Sequence, residues 1–191
     1  MNRIPIFGLL AVCAIALSGC ASQERTFEPS DPRIKIDGYY NDGVGGRDVK
    51  LKVIGVAFGA QPDAFRQALE ADLQSESVLG RQPTHVVLTP GPSGKRYYRL
   101  AYAFNQPNAV YGNALCQIAE SDAVQAPPSN IVNATAAFCV GGEAEAYISG
   151  QTEATGPDDP RFRQLVRQMM DQVFRPDVRQ EASPPPGART N

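Results

Sequence analysis

Two segments rich in proline, glycine and charge enclose the part of this chain that can fold. The first covers residues 20–48, and the second covers residues 175–191 with a run of three prolines at 184–186. Neither has the hydrophobic period of a helix or a strand, so we expect a flexible tether before the fold and a disordered proline-rich tail after it. A single domain is therefore expected over residues 49–174, which is long enough to bury one core.

The chain begins with a short apolar stretch that ends in a cysteine. Residues 4–17 follow a single positive charge and are too few to cross a bilayer comfortably as a helix. The stretch closes with Leu17-Ser18-Gly19-Cys20. This pattern resembles the lipobox of bacterial lipoproteins, in which diacylglycerol is attached to the cysteine, the preceding peptide is removed and the new amine is acylated. The resemblance implies a signal peptide over residues 1–19 and lipid on Cys20. The alternative is an ordinary secretory signal with a chance cysteine.

The residues after the cysteine bear on where such a lipoprotein stays. In the lipoproteins that this signal resembles, aspartate at the next position favours retention at the inner membrane, whereas this chain has Ala21 and then Ser22. The resemblance therefore implies a protein held at the outer membrane by its N-terminal lipid. Its domain would face the periplasm unless a dedicated system moves it to the cell exterior.

The charge balance argues against a nucleic-acid partner. The chain has 18 Lys and Arg residues against 20 Asp and Glu, which gives a formal net charge of −2. Binding to a phosphate backbone calls for clustered positive charge. We therefore expect no nucleic acid among its partners.

Two cysteines remain once Cys13 leaves with the signal peptide and Cys20 carries lipid. An oxidising compartment favours pairing of the other two, so we predict a disulfide between Cys116 and Cys139. The alternatives are two buried free thiols, or a redox or metal site. Redox pairs usually have the spacing Cys-x-x-Cys and zinc takes four ligands, whereas His85 is the only histidine. We expect no metal and no cofactor.

The hydrophobic pattern of the domain alternates between strand and helix periods. Residues 84–89 and 96–104 flank a turn rich in proline and glycine and are expected to form a hairpin. A second hairpin is expected around Gly141-Gly142. Residues 111–119 are ambiguous between a strand and a short helix, and a strand is favoured. The expected strands cover residues 49–58, 84–89, 96–104, 111–119, 131–140 and 143–149.

Two helices have clear apolar stripes. The first starts at Pro62, and the last starts at Pro160 with Asp159 as its cap. Ala144 and Ala146 belong to a strand face of small apolar residues, on which the last helix can lie closely. The order of elements predicts an α+β fold in which an antiparallel or mixed sheet of about five to six strands carries both helices on one face.

The residues that could perform chemistry do not form a recognisable catalytic set. Ser93 lies in the predicted turn, but Lys95 stands where a nucleophile elbow requires glycine, and Thr89 stands where a phosphate-binding loop requires it. His85 is the only side chain whose ordinary pKa lies near neutrality. We expect no enzyme, with a hydrolase that uses Ser93 and His85 as the alternative.

Tyrosines are concentrated in the strand region, where they suit a surface that is half apolar and must still form hydrogen bonds. Tyr98 and Tyr102 alternate onto one face of their strand and are expected in the core. Tyr97, Arg99 and Tyr147 are expected on the open face, where an aromatic and arginine patch would suit an envelope protein or a glycan.

These features favour a non-catalytic lipoprotein, anchored in the outer membrane, that acts in the periplasm as a binding or envelope-assembly accessory. The chain has an expected anchor, a tether and a domain stapled by a disulfide, but no catalytic set. Besides the hydrolase, the remaining alternative is a structural spacer without a specific ligand.

Overall fold

The structure of the chain is a computed structural model that describes residues 44–74, 85–106 and 110–174. In these ranges the chain forms a five-stranded mixed sheet with three α-helices, which is the α+β class predicted from the sequence. The expected signal peptide, Cys20, tether residues 20–43 and the tail over residues 175–191 lie outside the described residues.

The strand order in the sheet is β2-β1-β3-β4-β5. Strand β1 runs parallel to both of its neighbours, whereas β3, β4 and β5 are successively antiparallel. The buried Val44 precedes β1 and belongs to the main core. In chain order the elements are β1 (Asp48–Ile54), α1 (Pro62–Gln74), β2 (His85–Val87), β3 (Tyr98–Phe104), α2 (Gly112–Gln117), a 3-10 turn (Glu120–Asp122), β4 (Ile131–Val140), β5 (Glu143–Glu153) and α3 (Pro160–Phe174).

The predicted hairpin of β2 and β3 is wrong, because the two strands lie on opposite sides of β1 and both run parallel to it. The segment 88–97 between them, here called the crossing loop, passes the start of β1. There the main-chain N–H of Gly91 donates a hydrogen bond to Asp48 Oδ2 at 2.7 Å. A Cβ on Gly94 would lie 3.1 Å from the main-chain oxygen of Asp48, so glycine permits this close passage. Helix α1 provides the long connection that the parallel pair β1 and β2 requires.

The strand predicted over residues 111–119 is also wrong, because residues 112–117 form helix α2. An isolated helix of six residues is unstable in water, so its stability must come from tertiary contacts. Two such contacts are a disulfide from Cys116 to Cys139 of β4 and hydrogen bonds from Lys52 of β1. Neither contact is encoded in the local sequence pattern.

Helices α1 and α3 cover one face of the sheet, as predicted, and we call it the two-helix face. Asp159 Oδ1 accepts a hydrogen bond from the main-chain N–H of Arg161 at 3.0 Å, which confirms Asp159 as the cap of α3. Gly150 of β5 lies directly beneath α3, where an added Cβ would come within 2.7 Å of Leu165 Cδ1. The absence of a side chain at Gly150 therefore sets how closely α3 can approach the sheet.

The opposite face of the sheet, here called the groove face, carries a smaller core beneath α2. This core is formed by Ile54, Ala101, Ala103, Leu115, Cys116, Ala137 and Cys139. Because α2 is short, it covers only part of this face. The beginning of β4 and the end of β5 stay uncovered by it. Within the described ranges, no helix has the length and apolar character needed to cross a membrane.

Candidate functional site

A groove of about 520 Å³ lies on the uncovered part of the groove face. Its floor comes from β3, β4 and β5, and the residues just before α2 form one wall. This volume falls within the range of roughly 300–1,000 Å³ that is typical of small-ligand sites. The groove is the strongest candidate for a binding site among the described residues.

Cross-strand pairs of β4 and β5 build the polar floor of the groove. Asn133 lies opposite Gln151, and Thr135 lies opposite Ser149. Because side chains alternate along a strand, both pairs project from the same face. The hydroxyl oxygens of Thr135 and Ser149 are 3.1 Å apart and share a hydrogen bond.

Two tyrosine rings, those of Tyr111 and Tyr147, also line the groove. Their ring centroids are 6.5 Å apart, and the ring planes make an angle of 35°. Tyr111 is 50% exposed. Gly112 has a φ of +50°, and a Cβ there would lie 3.4 Å from Tyr147 Cε1, so the chain passes close to the Tyr147 ring as α2 begins.

No described residue that lines the groove carries a formal charge. One lining amide, that of Gln106, is engaged locally, because it donates to the main-chain oxygens of Phe104 and Val124 and accepts from the N–H of Val124. The side-chain amides of Asn133 and Gln151 have no hydrogen-bond partner within the described ranges. Among the described residues, nothing competes with a ligand for those two amides.

The disulfide between Cys116 and Cys139, predicted from the cysteine count, fixes α2 beside the groove with a Cα–Cα distance of 5.7 Å. Lys52, which is 6% exposed, adds hydrogen bonds from Nζ to the main-chain oxygens of Leu115 at 3.2 Å and Cys116 at 2.9 Å. Burial and the nearby charge of Arg99 lower the pKa of the Lys52 ammonium group. Covalent and polar contacts thus hold the same end of α2.

The three residues predicted as a partner-binding patch are placed differently relative to the groove. Only Tyr147 borders the groove among them. Tyr97 is 45% exposed just before β3, and its ring centroid lies 4.5 Å from that of Tyr98. Arg99 is half-buried and donates hydrogen bonds to the main-chain oxygens of Cys116 and Gly141, so its guanidinium supports the fold. Whether Tyr97 contacts a partner stays a prediction.

The residues of the alternative hydrolase hypothesis lie at the β2 edge of the sheet and in the crossing loop. The side chain of His85 is 61% exposed, and its Nδ1 lies 3.5 Å from Asp48 Oδ1. Ser93 is exposed, and no hydrogen bond between Ser93 and His85 occurs in the described part of the chain. Within the described residues, no group of three or more His, Cys, Asp or Glu side chains is placed to hold a metal ion.

Sequence reasoning missed most of the groove residues. The position of Tyr111 beside the groove was missed because the pattern over residues 111–119 favours a strand. The polar residues at alternate positions 133, 135, 149 and 151 were a usable signal, since both strands flank the correctly predicted Gly141-Gly142 turn. Placing them opposite each other requires knowing that the register shifts between Phe138 and Cys139.

No protein-family model matches this chain, and no curated protein matches it. Among solved structures, the chain is similar to a dodecameric PelC variant from Paraburkholderia phytofirmans, with 12% sequence identity and a TM-score of 0.37. The alignment covers 79% of this chain and 94% of the PelC chain. This TM-score is too low for the similarity to support a conclusion about fold or function.

Proposed function

We propose that this chain is a lipid-anchored, non-catalytic binding protein of the bacterial envelope that holds an uncharged partner in the groove. The observation that carries the binding role is the lining of the groove, which combines two tyrosine rings with the unengaged amides of Asn133 and Gln151 and has no charged side chain among the described residues. A structural spacer has no need for such a surface.

The lipobox resemblance at residues 17–20 supports attachment to the outer membrane with the domain facing the periplasm. The bond between Cys116 and Cys139 supports the same location, because disulfides persist in oxidising compartments. Ser93 and His85 form no hydrogen bond with each other among the described residues, which supports a binding role over hydrolysis.

The anchor is tested by replacing the lipidated residue in intact cells. The wild-type chain is expected in the outer-membrane fraction with an acylated N-terminus at Cys20, as measured by mass spectrometry. Cys20→Ser should abolish acylation and remove the protein from that fraction, whereas the control Ser30→Ala, farther along the expected tether, should behave like wild type. An unacylated chain that still begins at Met1 would refute the anchoring role.

The binding role is tested by placing a photoreactive benzoylphenylalanine at position 111 in living cells. Tyr111 borders the groove, so crosslinks to another molecule are expected from this position. The matched control is the same substitution at Gln164, an exposed residue of α3 on the other side of the sheet. Equal crosslinking from both positions, or none from position 111, would favour the spacer hypothesis.

A further inference from the structure

We infer that the occupant of the groove is an uncharged polysaccharide chain, an inference that rests on the proposed binding function and specifies its ligand class. The groove juxtaposes side chains with two different chemistries. Tyr111 and Tyr147 offer apolar ring surface, and Asn133 and Gln151 offer amides that can both donate and accept hydrogen bonds. A sugar unit has the matching combination of C–H faces and a rim of hydroxyl groups.

The absence of formal charge among the described lining residues favours an uncharged ligand. A charged group that enters the groove would lose part of its hydration, and the described lining residues provide no opposite charge to compensate for that loss. Neutral hydroxyl and acetamido groups lose less on leaving water and can recover hydrogen bonds from the amides of Asn133 and Gln151. The lining therefore disfavours acidic and cationic polymers alike.

The position of the groove on the sheet favours a saccharide over a peptide. Extended peptides commonly bind by adding a strand to an exposed sheet edge, where main-chain groups supply the hydrogen bonds. Here the floor is the face of β4 and β5, formed by their side chains. β5 is the edge strand of the sheet, and a peptide strand added to its free edge would lie beside this floor rather than on it. Asn133 and Gln151 thus present side chains rather than main-chain groups to the ligand.

The two tyrosines supply stacking surfaces. Tyrosine combines an apolar ring with a polar hydroxyl, so its ring can lie against the C–H face of a sugar while the hydroxyl stays hydrated or bonds to the ligand. The 35° angle between the rings of Tyr111 and Tyr147, at a centroid distance of 6.5 Å, allows each ring to face a different part of one chain. A short oligosaccharide is the ligand size that the volume of about 520 Å³ suits.

The inference is tested by calorimetric titration of the full lipidated chain in detergent with four defined tetrasaccharides. Cellotetraose and tetra-N-acetylchitotetraose are uncharged, deacetylated chitotetraose is cationic, and tetragalacturonate is anionic. We expect at least one uncharged tetrasaccharide to bind with a Kd of about 1 mM or tighter, and both charged ones to bind about tenfold more weakly or not at all. A synthetic peptide of residues 21–43 serves as the competing occupant from the chain itself.

Groove variants tie the binding to this site. Tyr111→Ala and Gln151→Ala are each expected to weaken binding of the uncharged tetrasaccharide about tenfold, and Gln164→Ala is expected to leave it unchanged. Tyr111 and Gln151 are both exposed, so neither substitution removes core packing, and a thermal unfolding curve checks that the variants fold.

Three results would overturn the saccharide assignment: no binding of either uncharged tetrasaccharide, unchanged affinity in both groove variants, or displacement of the sugar from the groove by the 21–43 peptide. Crosslinking from position 111 that persists in such a case would leave the binding role intact and remove only the ligand class. Loss of crosslinking as well would remove both.

Discussion

The ammonium group of Lys52 donates a hydrogen bond to the main-chain oxygen of Cys116 over a distance of 2.9 Å. Lys52 belongs to β1, which is paired on both sides, and Cys116 lies in the last turn of α2. The final carbonyl groups of a helix have no partner within that helix. Lys52 donates hydrogen bonds to two of them, at Leu115 and Cys116, and so attaches α2 to β1.

Replacing this lysine should destabilise the domain. Lys52→Met leaves the buried carbonyls of Leu115 and Cys116 without this donor, so we expect the free energy of unfolding to fall by about 1–3 kcal/mol in urea titrations. Lys50 is the matched control, because it lies on the same strand and is exposed. Lys50→Met should change the free energy of unfolding by no more than about 0.5 kcal/mol. Equal effects of the two substitutions would contradict the role given to Lys52.

The same lysine predicts a pH dependence of stability. Burial, and then the charge of Arg99, lowers the pKa of Lys52 below its ordinary value of 10.5. Between the lowered pKa and 10.5 the unfolded chain binds more protons than the folded chain, so the contribution of Lys52 to the free energy of unfolding rises with pH. Below the lowered pKa both states are protonated and the contribution is constant. The free energy of unfolding of wild type minus that of Lys52→Met should therefore increase as pH rises through this window. A flat or falling difference would refute it.

Removing the disulfide should cost more than any single hydrogen bond. The bonded cysteines are separated by 23 residues in the chain, and a loop of that size corresponds to about 3–4 kcal/mol in the chain-entropy description. The double variant Cys116→Ala/Cys139→Ala is expected to lose about that amount. Reductant should destabilise wild type and leave the double variant unaffected. Reaction of Cys116 and Cys139 with a thiol reagent in the denatured, unreduced protein would show that the bond does not form.

A methyl group at position 150 should disturb the packing of α3. In Gly150→Ala the new Cβ meets Leu165 Cδ1 at 2.7 Å, and Leu165 is fully buried, so either its side chain or the helix has to shift within a packed core. We expect a loss of about 1–3 kcal/mol in the free energy of unfolding. Gly156→Ala is the control, since nothing lies within 4 Å of a Cβ there, and it should leave stability nearly unchanged. A neutral Gly150→Ala would show that α3 can move away at no cost.

The sequence was sufficient to predict elements whose signals are local. The stripe and cap of α3 are visible in its own residues, and Gly141, with a φ of +63°, makes the predicted turn between β4 and β5. The pairing of β2 and β3 could not be predicted in this way. Strand β1 is buried along most of its length. β2 pairs with one of its edges and β3 with the other. That outcome depends on the whole sheet rather than on the turn between the strands.

The polar floor of the groove escaped prediction because of an irregularity in the last hairpin. The register shifts between Phe138 and Cys139, so that Asn133 pairs with Gln151. A regular ladder counted from the Gly141-Gly142 turn would instead place Asn133 opposite Gly150. The extra residue of a bulge is one that alternation along a strand does not reveal. The polar floor of the groove exists because this shift brings the polar positions of both strands to the same face.

The pairing of β1 with a strand on each side has a consequence for how the chain is made. Within the described ranges, both strands that pair with β1 come later in the chain, and the longer pairing, with β3, is complete only at Ala103. Protein synthesis proceeds from the N-terminus at about 5–20 residues per second, so Leu51 and Val53 spend seconds outside the ribosome before their sheet can close. A chaperone that binds short apolar segments is therefore expected to recognise residues 49–54 of the nascent chain.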